Sequence, residues 1–196
     1  MSDALPQAAA PGPDPAIVPP PGPATETIRS ERLVLRPLRR SDAGLIAHYT
    51  GDRRVAEGTR TIPHPLPPGA TEAYVTRLLG EPDGDTAAWA IDGSEAQLAE
   101  LLGVVSLTRV APGQCELEFW IGPGFWNTGF ATEAVDALLR ANPRGCRSFV
   151  AEVFQDNPGS ARVLTNCGFD YLGDAESWSV ARGALVPTWT YARSPG

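Results

Sequence analysis

The chain has 196 residues, 42% of them hydrophobic, and a formal net charge of −7. That is enough apolar material for one core, so a single domain is expected. The acidic balance argues against nonspecific nucleic-acid binding, which needs Lys and Arg set against phosphates; it suits a cationic acceptor such as an amine, or simply solubility.

No apolar run approaches the ~18 to 20 residues of a bilayer span, so no membrane partner is expected. The N-terminus carries Asp3 and no apolar stretch, unlike a signal peptide. Residues 1–24, rich in Pro, Ala and Gly, read as a disordered tail, since such a segment buries too little apolar surface to offset its ordering entropy. Residues 25–196 read as the single domain. Cys115, Cys146 and Cys167 show no C-x-x-C spacing and cannot all pair, so reduced thiols, a cytoplasmic chain and no metal site are the simplest expectation. Cys167 is read as a small buried filler, with a reactive thiol as the alternative.

Ile28 to Leu38 alternates as a strand, and Ser41-Asp42 caps a helix carrying Leu45, Ile46 and Tyr49 on one face. A short helix is expected near Asp52 to Glu57. Residues 61–69 form a proline-punctuated loop, unable to be helix or central strand. Helix 70–79 follows, stopping at Gly80. Strands are expected over Thr86 to Ile91 and Leu101 to Val110, the second turning back at 111–114 into Cys115 to Ile121. A helix whose apolar positions run from Ala131 to Leu139 ends at Asn142-Pro143. Arg147 to Phe154 makes another strand, helix 158–167 closes at Gly168 with Phe169 packing back, and Tyr171-Leu172 and Trp178 to Tyr191 supply the last two strands. The order is α/β (α+β), with a mixed, mostly antiparallel sheet and helices on both faces.

The richest stretch joins strand 115–121 to the central helix. A glycine turn there lets an anionic group approach the unpartnered first amides of the helix, at the positive end of its dipole, so a phosphate cradle is one reading. The other is backbone freedom alone, with no ligand. Neither Gly-Lys-Ser/Thr nor G-x-G-x-x-G is present, so it is not a P-loop or a dinucleotide fingerprint.

Trp126-Asn127-Thr128-Gly129-Phe130-Ala131-Thr132-Glu133-Ala134 resembles the acetyl-CoA pyrophosphate motif of the GNAT N-acetyltransferases, R/Q-x-x-G-x-G/A. Trp in place of Arg/Gln resembles the branch of ribosomal-protein N-terminal (alanine/serine) acetyltransferases, although Asn127 stands where that branch usually has Gly. Asn tolerates the left-handed backbone better than most residues. Residues 157–169 resemble the family's fourth-helix motif N-x-x-S-x-x-x-L…G-F, and 30–42 its opening strand. The resemblance implies a sheet splayed between its fourth and fifth strands around an acetyl-CoA cleft. Residues Trp126 to Thr132 would hold the pyrophosphate. The backbone of 117–121, with Phe119, Trp120 and Ile121, would pair with the pantetheine arm, and Asn157 would bond the same arm. Asn157 also reads as an N-cap.

Strand alternation puts Glu116, Glu118 and Trp120 on one face and Leu117, Phe119 and Ile121 on the other. Glu116 is the first candidate for the base that takes the ammonium proton, and Glu118 the second; both also read as solvent-facing charges. The Tyr that many family members use toward the thiolate is absent, Leu164 standing in its place. Ser160 is the remaining donor on that helix face and otherwise a first-turn cap. His48 reads as a surface or core polar residue, His64 as a residue of the acceptor-side loop, and Arg162 as a solvated charge or a phosphate contact. Acetyl transfer to a primary amine follows, with acetyl-CoA as co-substrate and no metal. The acceptor is a protein N-terminus, or alternatively a small molecule such as an amino acid, polyamine or antibiotic. A non-catalytic acyl-CoA sensor is the competing class, and a monomer or homodimer is expected.

Overall fold

The computed structural model describes residues 26–81 and 84–194. The tail expected at 1–24 lies outside the described residues. Eight strands form one sheet: β1 (Ile28–Arg29), β2 (Val34–Pro37), β3 (Thr86–Asp92), β4 (Gly103–Ala111), β5 (Gln114–Ile121), β6 (Ser148–Phe154), β7 (Asp170–Ser179) and β8 (Ala184–Arg193). Their order across the sheet is β1-β2-β3-β4-β5-β6-β8-β7, and every pairing is antiparallel except β5 with β6. The helices are α1 (Ala43–Thr50), α2 (Arg53–Glu57), α3 (Ala70–Gly80), α4 (Phe130–Ala141) and α5 (Pro158–Asn166).

Two apolar clusters lie on opposite sides of the sheet. Leu33, Leu35, Trp89, Val105, Leu117 and Phe149 pack beneath Val135 and Leu138 of α4 and Leu164 of α5. Ala88, Ala90 and Val104, on the alternate positions, pack against Ile46 of α1 and Val75 of α3. The helices therefore cover both faces, as period-2 strands between amphipathic helices require. α4 stops at Asn142, whose φ of 41° is left-handed, and the Asn142 side chain brackets both the amide and the carbonyl of Cys146 at 2.9 Å. α5 stops at Gly168 (φ 76°), and the Phe169 amide donates back to the Leu164 carbonyl at 3.1 Å. That is the bonding of a glycine-terminated helix.

Three sequence expectations are corrected. The opening strand is broken: the Ser30 amide donates to the Leu33 carbonyl in a turn, leaving two residues in β1 and four in β2. Asp42 makes no side-chain cap to α1. Its carboxylate turns instead to Arg36 at 2.9 Å and accepts the Arg39 amide at 2.7 Å. Lastly, Cys115 and Cys146 are joined in a disulfide, not held as separate thiols. Cys146 lies two residues before β6, whose parallel pairing with β5 starts at Ser148. The Cα atoms of the two cysteines are 6.0 Å apart although 31 residues separate them in sequence. Cys167 is free and buried, as expected of a filler. Burial pushes its thiol up to about 11, which makes it a poor nucleophile at neutral pH.

Candidate active site

Pairing of β5 with β6 runs only from Gln114↔Ser148 to Glu116↔Val150. Past that point Leu117–Ile121 and Ala151–Phe154 diverge, and the gap opens into a cavity of about 600 Å³. Antiparallel alternation decides which peptide groups face it. The Gly122 amide donates to the Leu102 carbonyl on the far side of β5. Residues 120 and 118 therefore also turn their peptide groups toward β4, while 117, 119 and 121 turn theirs toward the gap.

At the mouth, Trp126 folds back so that its indole Nε1 donates to the Ile121 carbonyl at 2.7 Å. The Arg54 guanidinium lies 5.3 Å from the same ring system, a cation–π distance. The chain then reverses through two left-handed residues, Asn127 (φ 60°) and Gly129 (φ 83°). Gly129, Phe130, Ala131 and Thr132 border the cavity, which puts the partnerless first amides of α4 beside it. Thr128 does not border the cavity; its hydroxyl donates to the Phe125 carbonyl at 2.6 Å and closes the turn. Arg32 stands over the turn from outside. It pairs with Glu133 at 2.7 Å, lies 4.5 Å from the centre of the Phe130 ring, and approaches within 3.5 Å of where a Cβ on Gly129 would sit.

The opposite wall is α5. Asn157 Oδ1 accepts the Ser160 amide at 3.2 Å, and Asn157 Nδ2 donates to the Gly58 carbonyl at 3.4 Å. The cap of this helix is thus Asn157, and the same side chain ties α5 to the end of α2. Asn157, Ser160, Arg162 and Val163 border the cavity, as do Phe119, Trp120 and Ile121 from β5. Leu164 is fully buried in the core. His48 is exposed beside Tyr49, and neither it nor His64 borders the cavity.

Glu116 does not border the cavity either. It is ion-paired with Arg60, whose guanidinium also reaches Glu118 at 3.1 Å and Glu152 at 3.2 Å. Burial pushes the Glu116 carboxyl above its ordinary range, and Arg60 opposes that rise. The carboxylates of the three glutamates in turn hold the Arg60 guanidinium protonated against its own burial.

Sequence reasoning missed Arg60 and Arg182. Arg182, in the turn between β7 and β8, donates to the Glu57 carbonyl at 2.6 Å, pairs with Asp156 at 2.6 Å and borders the cavity. Partners 26 to 125 residues away leave no local signal.

A strand edge facing a glycine turn across a split sheet is a fold shared with solved structures. RimJ of Mycobacterium smegmatis, in complex with a CoA disulfide, superposes with a TM-score of 0.75 at 18% identity, covering 88% of this chain and 89% of that one. Spermidine N-acetyltransferase of Vibrio cholerae, in complex with CoA and spermine, gives 0.71 at 18% identity over 84% and 96%. In sequence, the uncharacterized N-acetyltransferase p20 of Bacillus licheniformis is 23% identical over 171 residues, 85% of this chain and 95% of that protein. The acetyltransferase (GNAT) domain profile matches residues 32–170, and the chain belongs to that family.

Proposed function

We propose that the chain moves an acetyl group from acetyl-CoA to the N-terminal amine of a protein. The observation that carries the acetyl-CoA part of the reading is the gap between β5 and β6, with a strand edge on one wall and the Trp126–Thr132 turn at its mouth. The resemblance of that turn to the ribosomal-protein branch supports a protein acceptor. Acetyl-CoA, as substrate, would lay its pyrophosphate on the first amides of α4, where the helix dipole favours anions. Its pantetheine arm would run along the peptide groups of Phe119 and Ile121 as an added strand. A peptide amide on that edge would polarise the thioester carbonyl.

In the transfer, the amine nitrogen bonds to the carbonyl carbon and the carbon–sulfur bond breaks. The nitrogen's proton passes through water to Glu116, and the departing sulfur takes a proton from the Ser160 hydroxyl, which water then restores.

A polycationic small amine is the second reading. Glu116, Glu118 and Glu152 surround a single guanidinium, leaving an excess of negative charge that would attract such an acceptor. The test is thiol release from acetyl-CoA with peptides bearing free N-terminal Ala or Ser, set against spermidine. Turnover on the peptides is expected; turnover on spermidine alone selects the second reading. Binding of acetyl-CoA with no turnover on any amine would make the chain a sensor.

The cradle is tested separately. Gly129 is left-handed, so Gly129→Val strains the turn and should weaken acetyl-CoA by ~10- to 100-fold, about 1.4 to 2.7 kcal/mol. Calorimetry on the folded variant reads this, and wild-type affinity would remove the cradle.

A further inference from the structure

Arg60 follows directly on Gly58 and Thr59, which border the cavity, and its guanidinium spans the two strands at the point where they part. We propose that Arg60 is a positioning residue of the acceptor side. It keeps Glu116 a carboxylate and pins segment 58–69 against the closed end of the split. Only the catalytic use of Glu116 rests on the transferase reading above.

The geometry carries this. One guanidinium meets Glu116 and Glu118 on β5 and Glu152 on β6. The Arg60 side chain is 24% exposed, so these contacts are only partly screened by water. The Arg60 carbonyl accepts the Val180 amide at 3.0 Å, which fixes the same residue to the turn between β7 and β8. A planar, weakly hydrated guanidinium can serve several carboxylates at once, where an ammonium acts as a point charge.

The groups around Glu116 are few. β4 sets Thr108 opposite it and Ser106 opposite Glu118, and β6 sets Val150 beside it. From α3, Tyr74 feels the charge of Glu118 and of Arg77, the latter 5.9 Å from the Tyr74 ring centre. From β7, the Ser177 hydroxyl donates to Glu152. Among the described residues, the cation paired with these carboxylates is Arg60. Burial and the charges of Glu118 and Glu152 all favour the protonated form of Glu116, and Arg60 opposes them. Without it, three partly buried carboxylates face one another, and Glu116 keeps its proton to a higher pH.

The test compares R60Q and R60K with the wild-type full chain. Carboxyl-carbon NMR, with the Glu116 signal assigned through E116Q, should show its midpoint raised by ~1 pH unit or more in R60Q. R60K, which keeps a charge, should fall between. Amide exchange across 58–69 should accelerate by ~10-fold in R60Q. Where acetyl transfer is measured, the acid limb of kcat/KM should move up with the Glu116 midpoint, and acetyl-CoA affinity should stay within ~2-fold.

An unchanged midpoint overturns the charge role, and unchanged exchange overturns the pinning role, whether or not the wild type transfers acetyl. A raised midpoint in R60Q, with a wild type that acetylates no amine, leaves Arg60 as assigned and sinks the transferase reading instead. Should R60Q fail to fold, R60K carries the same readouts.

Discussion

Ser160 faces the cavity from the first turn of α5, and the capping contact there belongs to Asn157. In the proposed transfer, the Ser160 hydroxyl supplies the proton for the departing sulfur. Ser160→Ala is expected to lower turnover by ~10- to 1,000-fold, the range of general acid catalysis, with acetyl-CoA affinity nearly unchanged. Steady-state kinetics with parallel melting curves check this; wild-type turnover would hand the proton to water. Leu164→Tyr in the same background is not expected to restore the rate. Position 164 is buried in the core, so the phenol would overpack it, costing roughly 1 to 3 kcal/mol. At this scale the sequence was legible where chemistry is local. Asn127 and Gly129 announce a left-handed turn by residue type, and Asn157 announces a cap. Arg60 and Glu116 announce nothing of each other, because 56 residues separate them and an Arg in a loop reads like any solvated charge.

Between elements, Arg36 is the lock. This residue of β2 is 5% exposed, pairing with Asp42 before α1 and with Asp92 at the end of β3. Arg36→Met would strand two carboxylates and should cost about 3 to 5 kcal/mol, read as a lowered denaturant midpoint. The Asp92 carboxyl is held below its ordinary value: burial pushes it up, but hydrogen bonds from Ser94 and Arg36 outweigh that. A depressed folded pKa means the contribution is complete above the unfolded value near ~4 and fades as pH falls through the folded one. The wild-type midpoint should therefore decline below about pH 4, and Arg36→Met should flatten that decline. Periodicity made the central strands and helices legible. It did not show the break in the opening strand or the division of the last hairpin, where the first of the two strands runs on to Ser179. The Asp42 error has a physical cause: an aspartate ahead of a helix looks the same in sequence whether it caps the helix or serves a buried arginine.

For the whole molecule, the disulfide between Cys115 and Cys146 closes a loop that contains all of α4 and the Trp126 turn. Cross-linking 31 residues restricts the unfolded chain, so replacing both cysteines by alanine should lower stability by about 2 to 4 kcal/mol. Chemical denaturation of the double variant is the check, and m should rise because the unfolded chain without the cross-link exposes more surface. Sequence spacing could not reveal this bond, because Cys146 reaches Cys115 only through the way the chain enters β6 beside β5, and not by distance along the chain.

The indole of Trp126, by holding the Ile121 carbonyl, makes the turn and the strand edge one gauge of fixed length. In the proposed binding mode, acetyl-CoA anchored at the turn would deliver its thioester a set distance along β5, at ~3.4 Å per residue. An arm lengthened by one methylene would overshoot Ser160 by about a third of that step and would not find a compensating register, since one residue's shift also turns the peptide groups to the other side. Trp126→Ala should loosen the gauge. Competition between acetyl-CoA and an arm-extended homologue should then show several-fold poorer discrimination than wild type, and equal discrimination would mean that length is measured elsewhere.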